Sequence, residues 1–410
     1  MTAPRTVPQH GQGSGLTEAD LDALRESARR SGHLSDGVDV ARFEEDFRRA
    51  TGAAHAVAVS SCTMALELAG RVLGLRPGDE VIAPSLTFQA TVSSLLGTGV
   101  VVRFAEVDPE TLCLDADSAA RLVTPRTRAV YTVNYGGSCG DIARLRKLAD
   151  ADGLFLVEDC AHALGAAVGG RTAGTWGDIG CWSFHSLKNI STLGQGGMLT
   201  VRDAGIAERL RRMRRMEPDA DFVDRPHAFG PYAPPTDPRR VTHEKNAYTQ
   251  DCATLRGPGL NAQLSDPAAA VGRSQLARLP ELVERRRMLA DILDEGLAQV
   301  PGVRTLPVPP GHDHARHLYA FRLARPDVRR DELVSKLTDQ GVEVVLRYFP
   351  LHLLPEWRAQ GNGFGDLPAT ERIWFEELVN LPISPQLEAA DMRYMVEAVA
   401  RSVHELDRTP

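Results

Sequence analysis

Three short segments carry residue types that chemistry can use. Ser60-Ser61-Cys62-Thr63 follows a β-rich apolar run and opens a helical pattern. Small hydroxyl residues at a helix start let backbone N–H groups and hydroxyls surround an anion, and the helix dipole favours negative charge there. A plain N-cap is the alternative. Glu158-Asp159 ends the apolar run that begins at Leu154 and leads into Cys160-Ala161-His162. An acid at the carboxyl end of a strand either stands over a ligand pocket or caps the next helix. Ser183-Phe184-His185-Ser186-Leu187-Lys188 comes after another apolar run and before the glycine-rich Leu193-Gly194-Gln195-Gly196-Gly197. A lysine held near strand ends loses hydration, which lowers its pKa and makes it a usable amine nucleophile. A solvated loop lysine is the alternative. Lysine is scarce here: Lys147, Lys188, Lys245 and Lys336 stand beside 43 arginines, so the place of each is informative.

Taken together, an anion cradle, an acid and a lysine, each at a strand end of one sheet, are what pyridoxal phosphate requires. The cradle holds the phosphate, the carboxylate pairs with the pyridinium nitrogen, and the lysine forms a Schiff base.

The elements that must position these groups can be read from the pattern. β-rich runs at 55–59, 80–83, 100–107, 128–134, 154–158, 179–184 and 197–201 read as strands. Helical patterns at 63–74, 87–97, 116–122, 141–151 and 203–215 alternate with them. That rhythm predicts an α/β fold with a mostly parallel central sheet covered on both faces, and ligands beyond the carboxyl ends of its strands. Residues 17–51 read as two helices, the second with Val40, Phe43 and Phe47 on one face. Residues 1–14 carry no apolar periodicity and read as a loose terminus. Seven of the 26 prolines fall within 217–259, which reads as a long ordered loop or lid, with a disordered surface insertion as the alternative. After Pro280, Leu282, Leu289, Leu293 and Leu297 mark a helix. A strand at 317–323, a helix at 329–340, a strand at 342–349 and a last helix near 387–405 then predict a smaller α/β domain. The expected division is a large domain over 15–270 and a small one over 271–410.

Composition bounds the function. At 410 residues with 43% hydrophobic and 25% charged, the chain suits a folded protein of two domains. A net charge of −7 argues against nucleic acid as a partner. No apolar run reaches the roughly 18–20 residues that cross a membrane. The six cysteines, Cys62, Cys113, Cys139, Cys160, Cys181 and Cys252, show no CxxC spacing, so no metal site or disulfide framework is indicated. A cytoplasmic enzyme is the expectation.

The arrangement resembles the DegT/DnrJ/EryC1/StrS family of sugar aminotransferases. The segments that carry the resemblance are SSCTMAL at 60–66, PGDEVIAPSLTFQAT at 77–91, VEDCAHALGA at 157–166, SFHSLKN at 183–189, GQGGM at 194–198 and RYFPLH at 347–352. The resemblance implies an aspartate-aminotransferase-like fold of type I and pyridoxal 5'-phosphate as cofactor. By the same resemblance Lys188 is the Schiff-base lysine, Asp159 the partner of the ring nitrogen and Phe88 the aromatic stacked on the ring. His162 stands near the cofactor's phenolic oxygen, and Ser61, Cys62, Thr63 and Ser183 surround the phosphate. Asn261 is similar to an asparagine that reaches the phosphate from the partner subunit, which implies a homodimer with shared active sites. His185, Arg347 and His352 face the substrate. Three positions depart from the family pattern: Cys62 replaces a glycine, Gln195 a glutamate, and Asn261-Ala262-Gln263 an N-Y-R segment. In the 217–259 segment Tyr232, His243, Lys245, Tyr248 and Arg256 are candidates to compensate.

The implied reaction moves an amino group from an amino acid, glutamate or glutamine, to a keto sugar, a nucleotide-linked keto sugar or a keto-cyclitol in secondary metabolism. Two alternatives stay open on the sequence. One is another elimination, decarboxylation or oxidation on the same cofactor. The other is a catalytically silent cofactor or sugar sensor.

Overall fold

In the computed structural model, which describes residues 6–9, 13–30, 34–35, 37–217, 255, 257, 259–325 and 328–406, the β-rich runs after residue 55 become strands of one sheet. These are β1 (His55–Val59), β2 (Glu80–Pro84), β3 (Val101–Ala105), β4 (Thr127–Val133) and β5 (Phe155–Asp159). After the two-residue strands β6 (Ala167–Val168) and β7 (Arg171–Thr172) come β8 (Ile179–Ser183) and β9 (Gly197–Val201). The large sheet is ordered β1-β9-β8-β5-β4-β2-β3. From β8 to β3 it is parallel, and β9 runs antiparallel to both its neighbours. Both faces are covered, so strands such as Val81-Ile82-Ala83 are buried throughout and read as unbroken apolar runs. One face packs on Phe43, Phe47, Trp182 and Phe184, the other on Leu66, Leu68, Tyr131 and Leu199.

The direction of β9 gathers the chemistry at one place. Because it is antiparallel, its first residue, Gly197, lies beside the last residues of two strands, Val59 and Ser183. Asp159, the last residue of β5, pairs with Cys181 of β8. The cradle, acid and lysine segments therefore leave the sheet at one end.

The remaining strands are β10 (Val303–Thr305), β11 (His312–Asp313), β12 (Tyr319–Leu323) and β13 (Leu378–Leu381). β11 pairs with β6, while β10, β12 and β13 form a small antiparallel sheet. Leu289, Leu293, Phe321, Leu333, Met392 and Met395 make its core, drawn from β12 and from helices Leu279–Leu297, Arg330–Asp339 and Ala389–Leu406.

Four expectations change. The strand expected at 342–349 is not one, and the third strand of the small sheet is β13. Residues Val344, Leu346 and Tyr348 pack into two separate apolar clusters, and the Arg347 N–H goes to the side chain of Asn380 at 3.0 Å instead of a neighbouring strand. The helix expected over 87–97 shrinks to Ala90–Ser93. The terminus expected to be loose is packed where described: Val7 is fully buried and pairs with Val342, and Gly13 and Ser14 are buried. Finally, helix Asp266–Ala277, which spans the expected boundary at 270, packs on helices Glu18–Arg30 and Val38–Thr51 of the large layer. The change of partner comes at Leu279. Tyr232, His243, Lys245, Tyr248, Cys252 and Arg256 lie outside the described residues.

Candidate active site

The three segments border one cavity of about 380 Å³, a size usual for small-molecule sites. Lys188 and Asp159 stand in its wall with Ser61, Cys62, Thr63 and Ser183. A larger cavity of about 450 Å³, bordered by Thr51, Arg171, Thr175 and Arg202, contains none of these residues.

Lys188 is placed by a tight turn after β8. Phe184 returns to the core, the Lys188 N–H donates to the His185 carbonyl at 2.8 Å, and the Ser186 N–H donates to the Gly194 carbonyl at 3.2 Å. Burial pushes the Lys188 ammonium down to about 8; Arg347 adds to this and Asp159 opposes it. An amine so held is partly unprotonated near neutral pH.

Asp159 is 4% exposed. Its Oδ2 accepts the Thr91 hydroxyl at 2.7 Å, and its Oδ1 accepts the Ala161 N–H at 3.1 Å and lies 3.9 Å from the Cys62 thiol. Burial pushes its pKa up, opposed by Thr91, Ala161 and Lys188. Burial also pushes the Cys62 thiol well up, so Cys62 serves as a weak donor and not as a thiolate nucleophile. Glu158 differs from its neighbour. Its carboxylate accepts the N–H groups of Gly177 and Gly174 at 2.6 and 2.8 Å and has no place in the cavity wall.

The cradle side is helix Cys62–Val72, capped by Ser61, whose hydroxyl accepts the Met64 N–H. A Cβ on Gly197 would lie 2.5 Å from the Ser61 carbonyl carbon and 2.7 Å from the Cys62 nitrogen. Glycine there lets β9 close against the turn, a use of GQGGM that the sequence does not announce.

The far wall is aromatic and basic. The His162 ring lies 4.4 Å from that of His317, and its Nε2 meets the Tyr348 hydroxyl at 3.0 Å. The Gly136 N–H points at Nδ1, 3.3 Å away, which assigns the proton to Nε2. Burial holds both histidines well below the usual range, so both are neutral. Phe88 is 55% exposed at the rim, its ring 5.8 Å from Tyr348. Arg347 is fixed through its backbone: the Tyr135 hydroxyl donates to its carbonyl at 2.5 Å, and Asn380 accepts its N–H. Its Nε is buried with no hydrogen-bond partner among the described residues. His185, half-buried, also borders the cavity.

A model of the DegT/DnrJ/EryC1/StrS aminotransferase family matches residues 15–400. The chain belongs to that family. It is 34% identical to the spore coat polysaccharide biosynthesis protein SpsC of Bacillus subtilis (strain 168), over 92% of each chain. It is 33% identical to the dTDP-4-dehydro-2,3,6-trideoxy-D-glucose 4-aminotransferase of Saccharopolyspora spinosa, over 96% of this chain and 97% of that protein. The solved structure of the aminotransferase TlmJ from Streptoalloteichus hindustanus matches with a TM-score of 0.85 at 34% identity, covering 98% of this chain and 100% of that one. As a DegT/DnrJ/EryC1/StrS protein the chain is an aminotransferase of α/β fold, and the family implies pyridoxal phosphate.

The residues present fit that cofactor. Asp159 is a buried acid with a face toward the cavity, which a cationic ring nitrogen would balance. The helix N-terminus at Cys62 and Thr63 supplies N–H groups for a phosphate, and Gly197 keeps that turn closed.

Two of the site candidates stand elsewhere. His352 is fully buried, and its ring bonds Ser85 at 2.7 Å and Glu371 at 2.9 Å outside the cavity wall. The family resemblance implies that His352 faces the substrate, but both its ring nitrogens are committed to structure. Asn261 is exposed beside Arg215, away from the cavity of its own chain. Conversely, Thr91, His317 and Tyr348 surround the site and were not candidates. The PSLTFQAT and RYFPLH segments hold Thr91 and Tyr348, while nothing around His317 marks it in sequence.

Proposed function

We propose that this chain transfers an amino group from an amino-acid donor, glutamate or glutamine, to the ketone of a keto sugar. The favoured acceptor is nucleotide-linked, with free keto sugars and keto-cyclitols as lesser candidates, in secondary metabolism in the cytoplasm. The observation that carries the reading is Lys188 and Asp159 in one cavity wall beside a helix N-terminus. The relative from Saccharopolyspora spinosa, named for a dTDP-linked keto sugar, supports the nucleotide-linked acceptor.

Pyridoxal phosphate, when bound, supplies an aldehyde that takes up the amino group and a ring that accepts the electron pair left when a proton departs from carbon. The protein's own residues do the rest. Lys188 Nζ removes a proton from the donor's α-carbon and later returns one. Asp159 holds a proton at the ring nitrogen, and Thr91 fixes the carboxylate that does so. The neutral His162 and Tyr348 line the far wall of the cavity, where they would border the cofactor, and Phe88 stands at the rim. Arg347, whose Nε has no partner among the described residues, is placed to take a substrate carboxylate or phosphate. Asn261 faces outward, as an asparagine serving a partner's site would, and so supports a homodimer with shared active sites.

The test is transfer of label. The holoenzyme is incubated with amino-labelled glutamate or glutamine and a panel of nucleotide-linked keto sugars, free keto sugars and keto-cyclitols. Heavy nitrogen in a sugar or cyclitol product, with matching 2-oxo acid, is the expected result. If every acceptor stays unlabelled and no 2-oxo acid forms, the reading fails in favour of another reaction on the same cofactor.

A further inference from the structure

The beginning of the chain reaches the Lys188 turn. The Gly13 N–H donates to the Ser186 carbonyl at 2.9 Å. A Cβ added at Gly13 would lie 2.1 Å from the Lys188 carbonyl oxygen and 2.4 Å from the Leu187 carbonyl carbon. Both are backbone atoms, so no side-chain rotation relieves the overlap. Glycine is present because two backbones touch.

Gly13 is itself fastened. Its carbonyl accepts from Arg286 Nη2 at 2.8 Å. Arg286 is 1% exposed, and its Nη1 reaches the carbonyls of Arg316, His317 and Ile383 at 3.3, 3.5 and 3.2 Å. A buried guanidinium on carbonyl oxygens is an expensive way to fill space; here it ties the chain's beginning to the carbonyl of a residue in the cavity wall. Further back, the Val7 N–H donates to the Gly341 carbonyl at 2.8 Å, and the Glu343 N–H donates to the Val7 carbonyl at 3.1 Å. Val7 is thus anchored to the stretch that carries Arg347, and Gly13 to the turn that carries Lys188.

We propose that Gly13, fastened by Arg286, is a positioning residue: it braces the Lys188 turn from behind and sets where Nζ stands relative to Asp159. It touches no reacting atom and acts through the Ser186–Lys188 backbone. The proposal rests on Lys188 as the reacting amine.

The scarcity of lysine makes a direct measurement feasible. The full chain, stripped of cofactor, is labelled with trace acetic anhydride across pH about 6 to 11. Peptides carrying Lys188 and the exposed Lys147 are then quantified by mass spectrometry. In the wild type Lys188 reaches half-reactivity near pH about 8. In Gly13→Ala that midpoint moves up by about one unit, with the Lys147 peptide as the internal standard for labelling. In the holoenzyme kcat falls about 10²-fold, with KM for the keto substrate within about twofold. Deletion of residues 1–13 introduces no overlap and shifts both readouts the same way, which covers the case in which Gly13→Ala does not fold. A wild-type Lys188 midpoint and kcat in a folded variant overturn the brace, even if its melting temperature is lower. Retained turnover in Lys188→Ala overturns the functional reading and the brace together.

Discussion

Glu158 and Asp159 are adjacent at the end of β5, both buried, and burial pushes both pKa values up. Their surroundings differ. Glu158 is filled by two backbone N–H groups; Asp159 keeps a side open to the cavity and to Lys188. The same division separates two histidines. His352 has a partner on each ring nitrogen, whereas His317 is held through Nδ1 by Asn189 at 3.1 Å and borders the cavity. Residue type does not tell a structural group from a chemical one. What tells them apart is whether the protein itself has used up the hydrogen-bonding capacity.

The contrast can be broken most sharply at the amine. Lys188→Ala should lower kcat by about 10³-fold or more and abolish borohydride-fixed cofactor, whereas Lys147→Ala should change neither. Comparable turnover in the two variants would remove any distinction between the cavity lysine and a surface one.

The two acids give the next largest difference. Asp159→Asn should lower kcat by about 10²-fold in a protein that unfolds at nearly the wild-type urea concentration. Glu158→Gln turns an amide donor toward one of two N–H groups and should lose about 1–3 kcal/mol of stability, with kcat within about twofold. Exchanged phenotypes would mean that the roles of the two acids are reversed.

His352→Ala should behave like Glu158→Gln, losing about 1–3 kcal/mol because Glu371 and Ser85 lose a buried partner. Steady-state kinetics should leave KM for the keto substrate unchanged. A raised KM at unchanged stability would return His352 to the substrate.

The smallest effect is on pH dependence. Lys188 titrates near about 8 in the folded chain against an ordinary 10.5. Between those values the unfolded chain binds more protons, so stability of the cofactor-free protein rises with pH across that window. Lys188→Met should flatten that rise in a series of melting curves.

Much of this was legible in the sequence for identifiable reasons. The seven strands of the large sheet announced themselves because burial on both faces leaves runs such as Val81-Ile82-Ala83 with no polar interruption. The segment 342–349 instead alternates, with Val342, Val344, Leu346 and Tyr348 set between Glu343, Val345 and Arg347, yet its side chains serve two clusters and its backbone bonds Val7 and Asn380. Such an alternation reports which side chains meet apolar neighbours, not which backbone the segment pairs with. Lys188 and Asp159 stood out because their chemistry sits where strands end. His317 did not, since its place depends on Asn189, 128 residues away in sequence. Val7 and Gly13 look loose in sequence because a short polar segment has no period to show. Val7 packs on Val342 and the small-domain core, and Gly13 on Arg286 and the Lys188 turn, all far along the chain.

The pairing of β1 has a consequence for assembly during synthesis. Among the described residues β1 is an edge strand paired with β9 alone, so residues made early wait for Val201 to emerge before they find their place. Closing so long a loop is slow and entropically unfavourable. The turn after β1 carries Ser61, Cys62 and Thr63 of the cavity wall, and Gly197 supplies the backbone that closes against it. A nascent chain that stops short of β9 therefore holds an unfinished cavity wall, and the site takes its shape late in translation.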